Sequence, residues 1–163
     1  DIVIYNRGIG GFVTQELLDN IDVCILDLAP RRLFINIGTN DLSDPAISIE
    51  DMIANYDKIL TIVQDKLPDI DIYMMAYYPI NYDAATEEMK PCLLIRTNDK
   101  IAQANEAVRT LAKAHHAHYI DINAPLKDEQ GNLKAEYTIE GMHIKEQGYR
   151  AIFDSFIKYA LED

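Results

Sequence analysis

The chain has 163 residues, 48% of them hydrophobic and 26% charged, which points to one globular domain with a real core and excludes a disordered chain. Its formal net charge of −12 disfavours nucleic acid and anionic membrane surfaces, since both require clustered Lys and Arg. The longest apolar run, Ile72 to Ile80, is far too short to span a bilayer.

In chain order, Ile2-Val3-Ile4-Tyr5 reads as a buried strand running into the loop Asn6-Arg7-Gly8. The chain starts with Asp1 and not Met, flush with that strand, so an upstream segment is expected. Gly8-Ile9-Gly10-Gly11 follows, and Thr14 is placed as the N-cap of a short helix through Leu17 and Leu18. An apolar stretch from Val23 to Leu28 stops before Pro30. Leu33 to Ile37 reads as a strand covered on both faces, ending in Gly38-Thr39-Asn40-Asp41. Ser48 opens a capping-box-like Ser-x-x-Asp, and Ile49, Met52, Ile53, Tyr56, Ile59, Leu60, Val63 and Leu67 recur at helical spacing until Pro68. Ile70 to Tyr78 is the next strand, and residues 80–92 read as an irregular loop. A second long helix carries Ile101, Ala104, Val108, Leu111 and Ala112 on one face. His118 to Ile122 is the fourth strand, and a polar loop with a Gly131-Asn132 turn covers 123–137. The last helix runs from about Lys145 to about Leu161, with Tyr149, Ile152, Phe153, Phe156 and Ala160 inward. Alternating strands and helices predict a parallel sheet covered on both faces, with ligands beyond the carboxyl ends of the strands.

The chemistry-bearing stretch is Glu140-Gly141-Met142-His143. In a loop, this spacing lets a carboxylate fold back onto one imidazole nitrogen, which leaves the other free to take a proton. Asn6 to Gly11, Gly38 to Asp41 and Glu140 to His143 resemble, in order and separation, the second, third and fifth sequence blocks of the GDSL-type SGNH hydrolases. The resemblance covers nearly the whole chain and implies a single domain over 1–163: a three-layer α/β/α sandwich with a flavodoxin-like parallel sheet. It also implies hydrolysis of acyl esters without metal or organic cofactor, on a small-molecule substrate. Carried onto this sequence, His143 is the general base and Glu140 its orienting acid. The Gly11 backbone N–H and the Asn40 side-chain amide are oxyanion-hole donors.

Two departures matter. No Gly-Asp-Ser occurs, and the serines are Ser43, Ser48 and Ser155. The family's nucleophile block precedes its second block, so the resemblance places the serine, and a first sheet strand, before Asp1. Glu140 also stands where the family usually has Asp, so either the loop backs away by a methylene or the carboxylate does not face the ring. Phe12, following Gly11, replaces a frequent acidic residue and makes that side of the site more apolar.

Plainer readings exist for each residue. His143 alone could cap the loop before the last helix, Asn40 could form an Asx-turn, Gly11 could be a turn glycine, and Asp41 a helix-start residue. Gly8-x-Gly10 also suggests dinucleotide binding, but the third glycine of that fingerprint falls on Val13. His115, His116 and His118 sit where a helix gives way to a strand, so their side chains should diverge and not hold a metal. Tyr77, Tyr78 and Tyr82 either line a cleft or pack the sheet. Cys24 and Cys92 form no Cys-x-x-Cys pair and are expected as buried free thiols, which leaves the compartment open between cytoplasmic and secreted or periplasmic. The combined reading is a serine esterase for short acyl groups, such as acetyl on a carbohydrate, or for a lysophospholipid-type ester. Its rival is a non-catalytic ligand-binding module that retains the fold.

Overall fold

A computed structural model of the chain describes residues 3–161. Three parallel strands, β1 (Arg32–Ile35), β2 (Asp71–Met75) and β3 (His118–Ile120), lie in the order β1-β2-β3 among these residues. Leu33 pairs with Ile72, and Met74 with Tyr119. The helices are α1 (Thr14–Asp19), α2 (Ile21–Cys24), α3 (Ile49–Lys66), α4 (Lys90–Ile95), α5 (Asn98–Ala114) and α6 (Glu146–Leu161).

Strand side chains alternate between the two faces. Ile35, Ile72 and Met74 join the main core with Met52, Tyr56, Ile59, Leu60 and Val63 of α3 and Ile101, Ala104, Val108 and Leu111 of α5. On the other face Phe34 stacks on Tyr73 at 4.7 Å and Tyr73 on His118 at 4.5 Å, and Phe156 of α6 packs against Phe34 at 4.8 Å. The Arg32 guanidinium donates to the last carbonyls of α6, Tyr159 at 3.0 Å and Ala160 at 2.9 Å, where the helix dipole favours a cation. The sheet therefore has α1, α3 and α5 on one side and α6 on the other.

Several expectations need correction. Val3, Ile4 and Tyr5 are exposed and pair with no strand; Ile2 of the expected first strand, and Asp1, lie outside the described residues. Apolar, β-branched composition makes a strand only where a ladder partner is present. Thr14 is not the cap of α1: Val13 holds that position, its N–H donating to the Glu16 carboxylate at 2.9 Å, and Thr14 is the first helical residue. The 80–92 loop gives way at its end to α4, with proline in its first turn where a missing N–H costs nothing. Tyr149 and Phe153 of α6 are exposed, whereas Gly148, Ile152 and Ala160 are buried. One helix cannot turn both stripes inward, and the glycine sets the side of closest approach. Cys24 is buried and Cys92 half-buried, both as free thiols. No helix among the described residues is long and apolar enough to cross a membrane.

Candidate active site

The loops after all three strands open at one rim. Ile9 to Phe12 form a turn in which the Phe12 N–H reaches the Ile9 carbonyl at 3.4 Å and Gly11 has φ +86°. A left-handed residue at the third turn position is what a glycine supplies without strain. Asn40 follows β1, and its amide nitrogen donates to the Phe12 carbonyl at 2.9 Å. Gly11 and Asn40 are thus brought side by side by a direct bond between their loops. The amide carries two N–H groups, so this bond takes one of them. Phe12 itself is half-buried and packs against the main core.

Asp41 locks the same junction. It is 1% exposed and opens the 3-10 turn Asp41–Ser43. Its carboxylate accepts the Thr14 N–H at 3.0 and 3.2 Å and the Thr14 hydroxyl at 2.5 Å. The Asn55 amide, from α3, donates to the Thr14 hydroxyl oxygen at 3.3 Å. The start of α1 is therefore capped by a carboxylate 27 residues away, which Thr14 could not reveal locally.

Glu140 and His143 are in direct contact. One carboxylate oxygen, Oε1, lies 2.7 Å from His143 Nδ1 and also accepts the His143 backbone N–H at 2.8 Å. A carboxylate only accepts, so Nδ1 carries the proton and Nε2 of the neutral ring keeps its lone pair. The side chain of Glu140 is 14% exposed and that of His143 67%. The extra methylene of glutamate is taken up within the loop, with the carboxylate facing the ring.

Thr138 closes this loop. Its hydroxyl donates to the His143 carbonyl at 2.9 Å and accepts the Gly141 N–H at 2.9 Å, and Thr138 pairs with Ile144 as an isolated antiparallel bridge. The loop is then fastened to the rim by Asn81, just beyond β2. The Asn81 N–H donates to the Gly141 carbonyl at 2.7 Å, and its amide nitrogen to the Leu133 carbonyl at 2.7 Å. Gly141 has φ +94°, and a Cβ there would run into the Asn81 carbonyl and Ala85. Asn98, at the start of α5, completes the fastening by accepting the Ile80 N–H and donating to the Ile80 carbonyl, both at 2.9 Å. The histidine loop, although Glu140 lies 20 residues after Ile120 at the end of β3, returns to the rim by this route. Thr138, Asn81 and Asn98 carried no chemical motif; the one local signal was a threonine three residues before a glycine, the pattern of a side-chain-closed turn.

No hydrogen bond joins the Glu140–His143 pair to Gly11 or Asn40 among the described residues. The three other histidines diverge: His115 sits between Asp57 at 2.6 Å and Gln64 at 2.8 Å, His118 stacks on Tyr73, and His116 is exposed. No cluster of three His, Cys, Asp or Glu able to hold a metal occurs among the described residues. Tyr77 is core, its hydroxyl donating to the Ile37 carbonyl at 2.7 Å. Tyr78 is half-buried against Tyr149, and Tyr82 is exposed.

Known proteins match this chain along most of its length. The family model of the GDSL-like lipases/acylhydrolases matches residues 1–151. A structure from Streptococcus pneumoniae described as a candidate platelet activating factor is 33% identical, with a TM-score of 0.85 over 96% of this chain and 72% of that one. A GDSL-like lipase from Bacteroides thetaiotaomicron is 24% identical, with a TM-score of 0.77 over 94% of this chain and 73% of that one. An acetylxylan esterase from Geobacillus stearothermophilus shares the fold at 16% identity, with a TM-score of 0.74 over 97% and 72%. Among curated proteins, the N-acylneuraminate cytidylyltransferase of Escherichia coli O18:K1:H7 is 26% identical over 153 residues. That match takes in 93% of this chain, which spans about a third, 34%, of the relative's length.

Proposed function

The chain belongs to the GDSL-like lipase/acylhydrolase family, and from that premise we propose that it acts as a serine ester hydrolase whose general base is His143. Glu140 orients the ring, and the Gly11 N–H and the Asn40 amide receive the oxyanion. The observation that carries this reading is the 2.7 Å contact between Glu140 and Nδ1, which leaves Nε2 as the basic nitrogen.

The nucleophile in this reading is a serine upstream of Asp1. Its hydroxyl attacks the ester carbonyl carbon while Nε2 takes the proton, because a serine hydroxyl is a poor nucleophile near neutral pH. The carbonyl oxygen becomes an oxyanion, held by donors that contribute about 3 kcal/mol each. Collapse of the intermediate breaks the bond to the alcohol, which leaves with the proton from Nε2. Water, deprotonated by the same nitrogen, then releases the acid from the acyl-serine.

The substrate is a short acyl ester, such as acetyl on a carbohydrate. Two observations support this. A groove of about 630 Å³ is lined by Asn81 and by Lys127, Asp128, Glu129, Lys134 and Glu136, whose charged and amide groups offer partners to the hydroxyls of a sugar. The curated relative is named for N-acylneuraminate, a sugar derivative. A lysophospholipid-type ester is the alternative within the same reaction class.

The test is hydrolysis of p-nitrophenyl acetate by the protein expressed with the segment preceding Asp1. His143→Ala is expected to lower kcat/KM by roughly 10³-fold or more. Equal rates for variant and wild type, or an inactive wild type, would leave the non-catalytic binding module as the better reading. Turnover of long-chain esters far above acetyl esters would defeat the short-acyl assignment.

A further inference from the structure

Arg96 carries a charge that no acidic group among the described residues pairs with. It lies in the two-residue link between α4 and α5. Its backbone N–H donates to the Cys92 carbonyl at 3.0 Å, and the next residue, Thr97, caps α5 by accepting the Lys100 N–H at 3.1 Å. With both neighbouring helix ends fixed, the side chain is delivered to one place. Arg96 is 4% exposed. Of its guanidinium donors, Nη1 meets only the thioether of Met142, at 3.2 Å, and Nε is buried without a hydrogen-bond partner among the described residues. A thioether is a weak acceptor. None of the ion pairs among the described residues involves Arg96, although the chain has 27 acidic residues.

A buried charge with no counter-charge is expensive, and a hydrocarbon of similar volume would serve packing better. Burial pulls the Arg96 guanidinium down to about 10, against smaller opposing effects of Cys92 and Tyr77. The position is informative. Met142 stands between Gly141 and His143 in the histidine loop. Tyr77, buried near enough to Arg96 to feel its charge, holds the Ile37 carbonyl three residues before Asn40. Lys100 Nζ holds the Leu42 carbonyl at 2.9 Å in the turn that follows Asn40. Arg96 therefore touches the loop bearing His143 and lies four residues from the lysine that holds the turn after Asn40.

We propose that Arg96 is an anion-recognising group of this site, and that the ester it serves carries a carboxylate or phosphate. The anion displaces the Met142 thioether and takes two parallel N–H···O bonds from the guanidinium fork, the arrangement that carboxylates and phosphates share. Met142 is unbranched and adaptable, which suits it to that exchange. The word "ester" rests on the hydrolase reading above; the anion site does not.

The test is a titration of the chain with glucuronate, glucose 6-phosphate and glucose, followed in ¹⁵N NMR through the backbone amides of Met142 and Thr97, which wild type and variants share, and in the wild type also through the Arg96 Nε–H resonance. Saturable binding of at least one anionic sugar is expected, with glucose not saturating; the stronger arm separates carboxylate from phosphate. Arg96→Gln is expected to weaken that binding about tenfold or more. Should Arg96→Gln fail to fold, Arg96→Lys keeps the charge but loses the fork, and about a fivefold weakening is expected. Equal binding of glucose and the anions, no binding of either anion, or unchanged binding in the folded variant overturns the proposal. Failure of the hydrolase reading shows itself elsewhere, as the absence of His143-dependent turnover.

Discussion

Glutamate reaches His143 because its longer side chain lets one oxygen serve two donors, Nδ1 and the backbone N–H, from inside the loop. The pair is set by local chemistry, so its loss should be felt in rate and hardly in stability. Glu140→Ala is expected to lower kcat by about 10²- to 10⁴-fold with little change in melting temperature, measured by steady-state kinetics and thermal denaturation. Asn40→Ala should lower kcat by about 10²- to 10³-fold. Thr138 makes no hydrogen bond to the His143 ring among the described residues, yet it closes the loop through both the His143 carbonyl and the Gly141 N–H. Thr138→Val keeps the shape and removes both bonds. A misplacement of about 1 Å costs on the order of 10²-fold in rate, so this variant should be slow although Glu140 and His143 are intact.

At the scale of elements, two packed contacts hold the rim. The first joins the start of α1 to the Asp41–Ser43 turn through the Asp41 carboxylate. Asp41→Ala leaves the buried Thr14 N–H without an acceptor, and a loss of about 1–3 kcal/mol in denaturant unfolding is expected. The second is the pairing of α3 and α5 over the sheet, where Leu60 and Val108 are fully buried. Leu60→Ala should cost about 2–5 kcal/mol with kcat unchanged in the surviving native fraction, since Leu60 touches packing and not the site. Helical spacing made both long helices legible, because each buries a stripe against a flat neighbour. It misjudged α6, where Tyr149 and Phe153 share the apolar character of the stripe but lie outside it.

The molecule as a whole carries 27 acidic against 15 basic residues, and its net charge of −12 opposes compaction. Screening should relieve that repulsion, so the melting temperature is expected to rise between about 10 mM and 150 mM NaCl, a range over which the Debye length shrinks from roughly 30 Å to 8 Å. A melting temperature that falls over this range would place the acidic groups in stabilising pairs instead.

Composition, helical periodicity and three loop motifs were enough to identify an α/β sheet protein of the GDSL-like family. They depend on residues near one another in sequence: apolar stripes three and four apart, glycines in tight turns, an acid three residues from a histidine. What the tertiary structure alone decided lies in contacts across long separations. Asp41 caps α1 from 27 residues away. Asn81 fastens the histidine loop to the end of β2 through Gly141 and Leu133. Arg96 comes to rest against Met142, 46 residues on, in no ion pair among the described residues. The same limit explains Val3 to Tyr5, which have strand composition and no strand. Backbone pairing, capping and charge neutralisation are satisfied in space, and a sequence shows only which residues are able to take part.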